Sequence, residues 1–76
     1  MDTGNLSNAL AVFGAALGIV GGAFGISRIG TAAMEAISRQ PEEAKNIRTT
    51  MVLAAALIEG LVFFGAIVAL LAILQK

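Results

Sequence analysis

One carboxylic acid, Glu59, lies inside a segment that is otherwise apolar: residues 54–71 read AAALIEGLVFFGAIVALL. A charged side chain at the centre of a bilayer costs at least about 2.5–3.5 kcal/mol, so such a residue indicates a function. Removal from water disfavours the charged form of a carboxyl, and we expect Glu59 to rest protonated and neutral. Such an acid can face lipid and release its proton where water reaches it, as a reversible proton carrier does. The alternative is a protonated acid that only forms a hydrogen bond with a neighbouring helix.

The rest of the composition excludes much catalytic chemistry. The sequence has no cysteine and no histidine, which removes disulfides, thiolate metal sites and cysteine nucleophiles. It also has no phosphate-cradling loop of the Walker type, so we expect no enzyme in this chain alone, no cofactor and no metal site. Five basic residues balance five acidic ones, and no basic patch interleaved with aromatics indicates nucleic-acid binding.

Two long apolar runs, 9–26 and 51–74, must position the acid. Each is close to the roughly 20 helical residues needed to cross a hydrocarbon core of about 30 Å. The chain has 76 residues, 58% of them hydrophobic and 13% charged, a balance suited to lipid rather than water. We predict an all-α fold: residues 1–76 form one transmembrane hairpin, with helix 1 at about 5–39, a polar loop at about 40–43 and helix 2 at about 44–75.

The polar loop is centred on Pro41. Proline breaks a helix and pushes the residue before it, Gln40, out of helical geometry, which predicts a tight turn. Arg39 then lies at the end of helix 1 and Glu42 at the start of helix 2, each at the end that the helix dipole favours. Local chemistry leaves open whether these residues are only helix caps or a contact surface.

Positive charge is concentrated on the loop side of the membrane. Arg39, Lys45 and Arg48 lie there, against only Lys76 on the terminal side. The positive-inside rule therefore places the loop in the cytoplasm and both termini on the opposite side. Arg28 lies at the loop-side edge of the first span, two helical turns from Glu35, where its long stem can extend to the lipid headgroups.

Glycines recur every four residues along the first span, at Gly14, Gly18 and Gly22, with Gly25 one turn further on. Small residues let helix backbones approach closely, which favours association through van der Waals packing in a membrane. The alternative is that glycine is simply more frequent in membrane helices. A packing stripe of this length predicts contacts with identical copies of the chain, since one hairpin cannot use all of its small faces.

Together, the two-span hairpin, the glycine-rich first helix, the loop RQPE at 39–42 and a carboxylate eighteen residues after the loop proline closely resemble the rotor-ring c-subunits of the F-type ATP synthases. The resemblance covers essentially the whole chain. It implies a ring of identical hairpins, with glycine-rich helices inside and acid-bearing helices outside, that rotates in the membrane sector. Glu59 takes the place of the ion-binding carboxylate.

The resemblance also implies partners and a membrane. Arg39, Gln40, Pro41 and Glu42 take the place of the loop that meets the central stalk. The stator a-subunit would supply two half-channels and an arginine that displaces the proton. The expected location is a bacterial inner membrane or an organelle membrane.

Around the acid, the sequence predicts a proton site rather than a sodium site. Folding the hairpin about its loop brings Gly22 and Ile26 to the height of Glu59, with Phe63 and Phe64 beyond it. None of these side chains carries an oxygen that could bind sodium. Phe64 stands where many members of the family have a tyrosine, so it cannot donate a hydrogen bond to the acid.

Two functions from other classes remain open from the sequence alone. One is a small pore-forming, holin-like hairpin, which needs amphipathic spans but no single placed acid. The other is a structural hairpin of a larger membrane complex, in which the loop would be the only functional surface.

Overall fold

The computed structural model describes residues 3–75 as two antiparallel helices joined by one short turn. Helix α1 is Thr3–Arg39, a 3-10 turn follows at Pro41–Glu43, and helix α2 is Ala44–Leu74. The hairpin measures 58 × 17 × 7 Å. The predicted all-α hairpin is confirmed. Met1, Asp2 and Lys76 lie outside the described residues. Lys76 is the one cation expected on the terminal side of the membrane.

The turn is made by Pro41 and its neighbours. Gln40 leaves the helical conformation, with φ −133° and ψ 71°, as the residue before a proline should. Its backbone N–H still donates to the carbonyl of Ala36 at 2.9 Å, and its own carbonyl accepts from the N–H of Glu43 at 2.9 Å. The side-chain amide of Asn46 donates to the Glu43 carboxylate at 2.8 Å, which ties the turn to the first turn of α2.

The two helices bury very little of their apolar surface in each other. Among the described residues, Ala33 is the one apolar side chain that is buried. Large side chains such as Leu57, Leu61 and Val20 are about two-thirds exposed, at 70%, 73% and 66%. Both helices are long and apolar enough to cross a membrane, since each contains an 18-residue stretch of high mean hydropathy, 2.1 in α1 and 2.6 in α2. A hairpin of this kind requires lipid, or other protein, around it.

Gly22 fixes the height of one helix relative to the other. A Cβ atom at this position would overlap a methyl group of Val62, so α2 approaches α1 at a distance that only glycine allows. One turn further along, Gly25 faces the tip of Ile58, where an added Cβ would lie 3.3 Å from it. These two contacts place Glu59 at nearly the same height in the membrane as Phe24.

Candidate functional site

Glu59 lies on one flank of the hairpin, in an open groove between the two helices. The groove has a volume of about 340 Å³, and every other residue that lines it is apolar or glycine. The lining residues are Ile26, Ile29, Gly30, Met51, Val52, Ala55 and Ala56. Within residues 3–75 the Glu59 carboxyl has no hydrogen-bond or ion-pair partner, and its side chain is exposed. A single hairpin therefore presents the acid outward without sealing it.

Helix periodicity explains which residues share this groove. Val52, Ala55 and Ala56 precede Glu59 by seven, four and three residues, so they lie on its face of α2. Two of the three are alanines, which leaves the carboxyl accessible from the side. The 3.6-residue repeat alone identifies these three neighbours of the acid, whereas counting heights from the loop does not.

The residues expected around Glu59 are distributed differently. Ile26 lines the groove, as expected from its height. Gly22 is instead buried against Val62 between the two helices and lines a different groove. Phe63 and Phe64 do not line the groove and are 67% and 65% exposed, so they neither pack within the hairpin nor cover the acid in one copy.

The opposite flank carries a second groove, formed mainly by glycines. It has a volume of about 380 Å³, and α2 contributes Ile58, Leu61, Val62, Gly65 and Ala66 to it. From α1, all four glycines of the predicted packing stripe line it, together with Ala15 and Gly21. These four are Gly14, Gly18, Gly22 and Gly25. Gly14 and Gly18 have open space at the position of a Cβ among the described residues, so only part of the stripe is used inside the hairpin.

Oxygen donors for a metal ion are not gathered near the acid. Ser27 and Thr31, the nearest hydroxyls on α1, line a separate pocket with Arg28 and Glu35 on the face of α1 that points away from α2. Across the described part of the chain, no group of three or more His, Cys, Asp or Glu residues is arranged to hold a metal ion.

The Arg28 side chain is directed away from the loop. Its guanidinium lies over the ring of Phe24, 5.6 Å from the ring centroid, which is within the range of a cation–π contact. The side chain thus points back along α1 toward its N-terminal end, in the direction that helical side chains favour.

The loop residues form an exposed tip. Arg39 ends α1, Gln40 and Pro41 make the turn, and Glu42 lies within the 3-10 turn; all four are exposed. The structure brings these residues together at the end of the hairpin distant from Glu59. About twenty helical residues, or roughly 25–30 Å, separate the two places.

The family model and the individual relatives that match this chain all belong to one family. Residues 8–72 match the family model that describes the C subunit of ATP synthase. The ATP synthase c-subunit of Bacteroides thetaiotaomicron is 51% identical over 61 residues, which cover 80% of this chain and 72% of that protein. That of Phocaeicola vulgatus is also 51% identical over 61 residues, covering 80% and 73%. That of Ruminiclostridium cellulolyticum is 42% identical over 74 residues, covering 97% and 95%.

Proposed function

The chain belongs to the c-subunit family of ATP synthase, the proton-translocating rotor component, and on this premise we propose that Glu59 is the group that binds and releases the proton. The protein is an integral membrane component of the ATP synthase. The observation that carries the proposal is the position of Glu59, exposed on one flank in a groove that contains no other polar side chain. This family membership favours a rotor component over the holin-like and purely structural alternatives.

The apolar groove favours the protonated form of Glu59 over the ionised form. A neutral carboxyl can face lipid in this apolar groove, whereas a carboxylate there would be a charge removed from water. Glu59 therefore crosses the lipid-facing part of the cycle protonated. It loses the proton only where water or a cationic group of the stator a-subunit reaches the groove. The variant Glu59→Gln, which can stay neutral but cannot release a proton, tests this role.

The two flanks of the hairpin fit the ring that the family forms. The Glu59 groove and the glycine groove lie on opposite sides at adjoining heights, since Gly25 and Ile58, at the loop-side end of the glycine groove, lie level with the acid. Contacts between two different surfaces are head-to-tail, and such contacts close into a ring when the rotation allows. The glycine flank of the neighbouring copy would then cover Glu59, which one copy leaves exposed.

The exposed loop, Arg39 to Glu42, is the surface for the central stalk, and it lies on the cytoplasmic side, with the termini opposite. Nucleotide chemistry belongs to other components of the complex. A bacterial inner membrane is the proposed location, supported by the bacterial sources of the relatives.

The transported ion is a proton. A sodium ion stripped of water must regain several oxygen ligands, and no side chain in the Glu59 groove besides the acid itself offers one. A protonated carboxyl needs only one acceptor for its hydrogen, which a backbone carbonyl of the same or the next copy can supply.

Sodium should not protect Glu59 from chemical modification. Carbodiimides react with protonated carboxyls in apolar sites, and a bound sodium ion would keep the acid ionised and unreactive. We expect the labelling rate of the purified ring at fixed pH to be the same in sodium chloride and in potassium chloride, which controls for ionic strength. Slower labelling in sodium chloride alone would overturn the proton assignment.

Substitutions in the loop should separate coupling from proton transport. Arg39→Ala and Gln40→Ala remove exposed side chains about 25–30 Å of helix away from Glu59, so passive proton conduction should stay at the wild-type level. ATP-driven pumping by the assembled complex should fall several-fold as contact with the stalk weakens. Lys45→Ala, on the exposed loop-side end of α2, is the matched control and should pump normally. Wild-type pumping in both loop variants would show that these residues serve only as helix caps.

A further inference from the structure

The glycine groove continues toward the loop as another groove on the same side of the hairpin, which we call the glycine flank. This loop-side groove has a volume of about 380 Å³ and is lined in part by Ala32 of α1 and by Asn46, Thr50 and Ala54 of α2. Ala32 follows Gly25 by seven residues, or two helical turns, so both grooves lie on one side. Asn46 and Thr50 are the polar residues of its lining. The glycine flank therefore becomes polar near the loop.

A hydrogen bond holds the Glu43 carboxylate on the glycine flank. The side-chain amide of Asn46 donates to one carboxylate oxygen of Glu43 at 2.8 Å. Glu43 also precedes Thr50 by seven residues, so the helical repeat places both near the same side of α2. The Glu43 side chain is half-buried, and within residues 3–75 no cation pairs with it. Its second oxygen can therefore accept from a donor outside the hairpin.

Arg48 lies on the opposite side of the hairpin, the Glu59 flank. It precedes Glu59 by eleven residues, close to three helical turns, and Val52 of the Glu59 groove lies between them on the same face. Arg48 is exposed, and in the described part of the chain it has no hydrogen-bond or ion-pair partner. Since Glu43 and Arg48 of one copy lie on opposite flanks, they cannot pair with each other within the hairpin.

The charged groups of Glu43 and Arg48 reach similar heights. Arg48 follows Glu43 by five residues, about 7 Å along the helix axis. Long side chains in a helix lean toward its N-terminal end, as Arg28 does over Phe24. The N-terminal end of α2 is its loop end, so this lean carries the Arg48 guanidinium toward the height of Glu43. Lys45 starts only about 3 Å from Glu43 along the axis, and the same lean carries its ammonium past Glu43 toward the loop.

We propose that the Glu43 carboxylate of each copy forms an ion pair with the Arg48 guanidinium of the next copy. This inference rests on the proposed function, because it requires the ring in which the glycine flank of one copy meets the Glu59 flank of the next. In a ring with cyclic symmetry every residue lies at the same height in every copy, so these two groups meet between neighbours. The Asn46 amide orients the carboxylate, and arginine pairs with a carboxylate through two parallel hydrogen bonds.

The ion pair selects one height of each hairpin relative to the next. The glycine stripe repeats every four residues at Gly14, Gly18 and Gly22, so a displacement of one turn, about 5 Å, presents a similar packing surface. Such a displacement at every contact would give an open spiral instead of a closed ring. It would also leave Glu43 and Arg48 unpaired, and complementary charges of this kind specify the register of an interface.

Charge reversal in purified rings tests the pair. Arg48→Glu places like charges against each other at every contact between copies, so fewer rings should survive heating in detergent, as counted by native mass spectrometry. Glu43→Lys should have the same effect. The double variant Glu43→Lys/Arg48→Glu restores opposite charges and should recover most of the lost stability. Lys45→Gln and Glu42→Gln, which change neighbouring charges outside the pair, are the matched controls and should give rings as stable as the wild type.

Neutral variants give the size of the effect. Glu43→Gln should weaken each contact between copies about two- to fivefold, as expected for the loss of a partly exposed ion pair. The loss is repeated at every contact in the ring, so the fraction of intact rings should fall clearly. Added salt should destabilise wild-type rings more than Glu43→Gln rings, because salt screens an exposed pair.

Two results would overturn the ion pair: a double charge reversal no more stable than the single reversals, or Glu43→Gln rings as stable as the wild type. Should the reversed variants not assemble, Glu43→Gln, Arg48→Gln and their double variant decide the question. A pair predicts that the double variant loses no more stability than either single variant, whereas independent roles would add. Wild-type chains that form no ring, or whose Glu59 does not react with a carbodiimide, would contradict the proposed function itself.

Discussion

Glu59→Gln is expected to abolish proton-driven ATP synthesis while leaving the ring assembled. Glutamine has nearly the same size as protonated glutamate and can be neutral in the same apolar groove, but it cannot release a proton. Passive proton conduction through the membrane sector and ATP synthesis in energised vesicles should both fall to background. The mass of the purified oligomer should stay that of the wild type.

Two variants control for this prediction. Glu59→Asp keeps a titratable carboxyl one methylene shorter, so it should retain part of the activity. Glu35→Gln removes a carboxylate of α1 that lies outside the Glu59 groove, and it should conduct protons normally. Proton-driven synthesis retained in Glu59→Gln would remove Glu59 from the mechanism.

Gly22→Ala is expected to destabilise the hairpin and, with it, the ring. The new Cβ would overlap a methyl group of Val62, a β-branched side chain with little freedom to move aside. Overpacking of this kind costs about 1–3 kcal/mol, so the ring should dissociate at a lower temperature or detergent concentration.

A second substitution can show whether this overlap is the cause. Gly22→Ala/Val62→Ala restores the space and should recover most of the lost stability. A side chain added at position 18 meets open space within the hairpin. Any destabilisation by Gly18→Leu should therefore come from contact with the neighbouring copy. Val62→Ala should not restore stability in that variant. A Gly22→Ala ring as stable as the wild type, or a Gly18→Leu ring of unchanged mass and stability, would contradict this packing.

Much of this architecture follows from the sequence because membranes restrict the possible structures. Two apolar runs separated by a proline turn leave little choice except a helical hairpin, since backbone polar groups must be satisfied within each span. Pro41 also sets the height of the acid. Ile26 lies in the Glu59 groove, at the height that counting residues from the loop predicts.

The rotation of each residue about its helix axis was harder to predict. Gly22 and Ile26 are four residues apart and at similar heights, yet they face different flanks of the hairpin. The flank depends on how the helices cross, which the contact of Gly22 with Val62 sets and which height alone does not reveal. Phe63 and Phe64 show the same difficulty, since proximity to Glu59 in sequence did not place them in its groove. The direction of the Arg28 side chain depended likewise on its contact with Phe24.

The most direct test of the central claim is site-mapped carbodiimide labelling of the intact complex in membranes, followed by proton pumping over the same time course. The chain has five acidic residues, and only Glu59 lies within the apolar part of the spans. Modification should therefore appear at Glu59 and not at Asp2, Glu35, Glu42 or Glu43, and pumping should be lost as it appears. Pumping that continues with Glu59 modified, or modification of the loop acids with Glu59 unreacted, would contradict the assignment of Glu59 as the proton-carrying group.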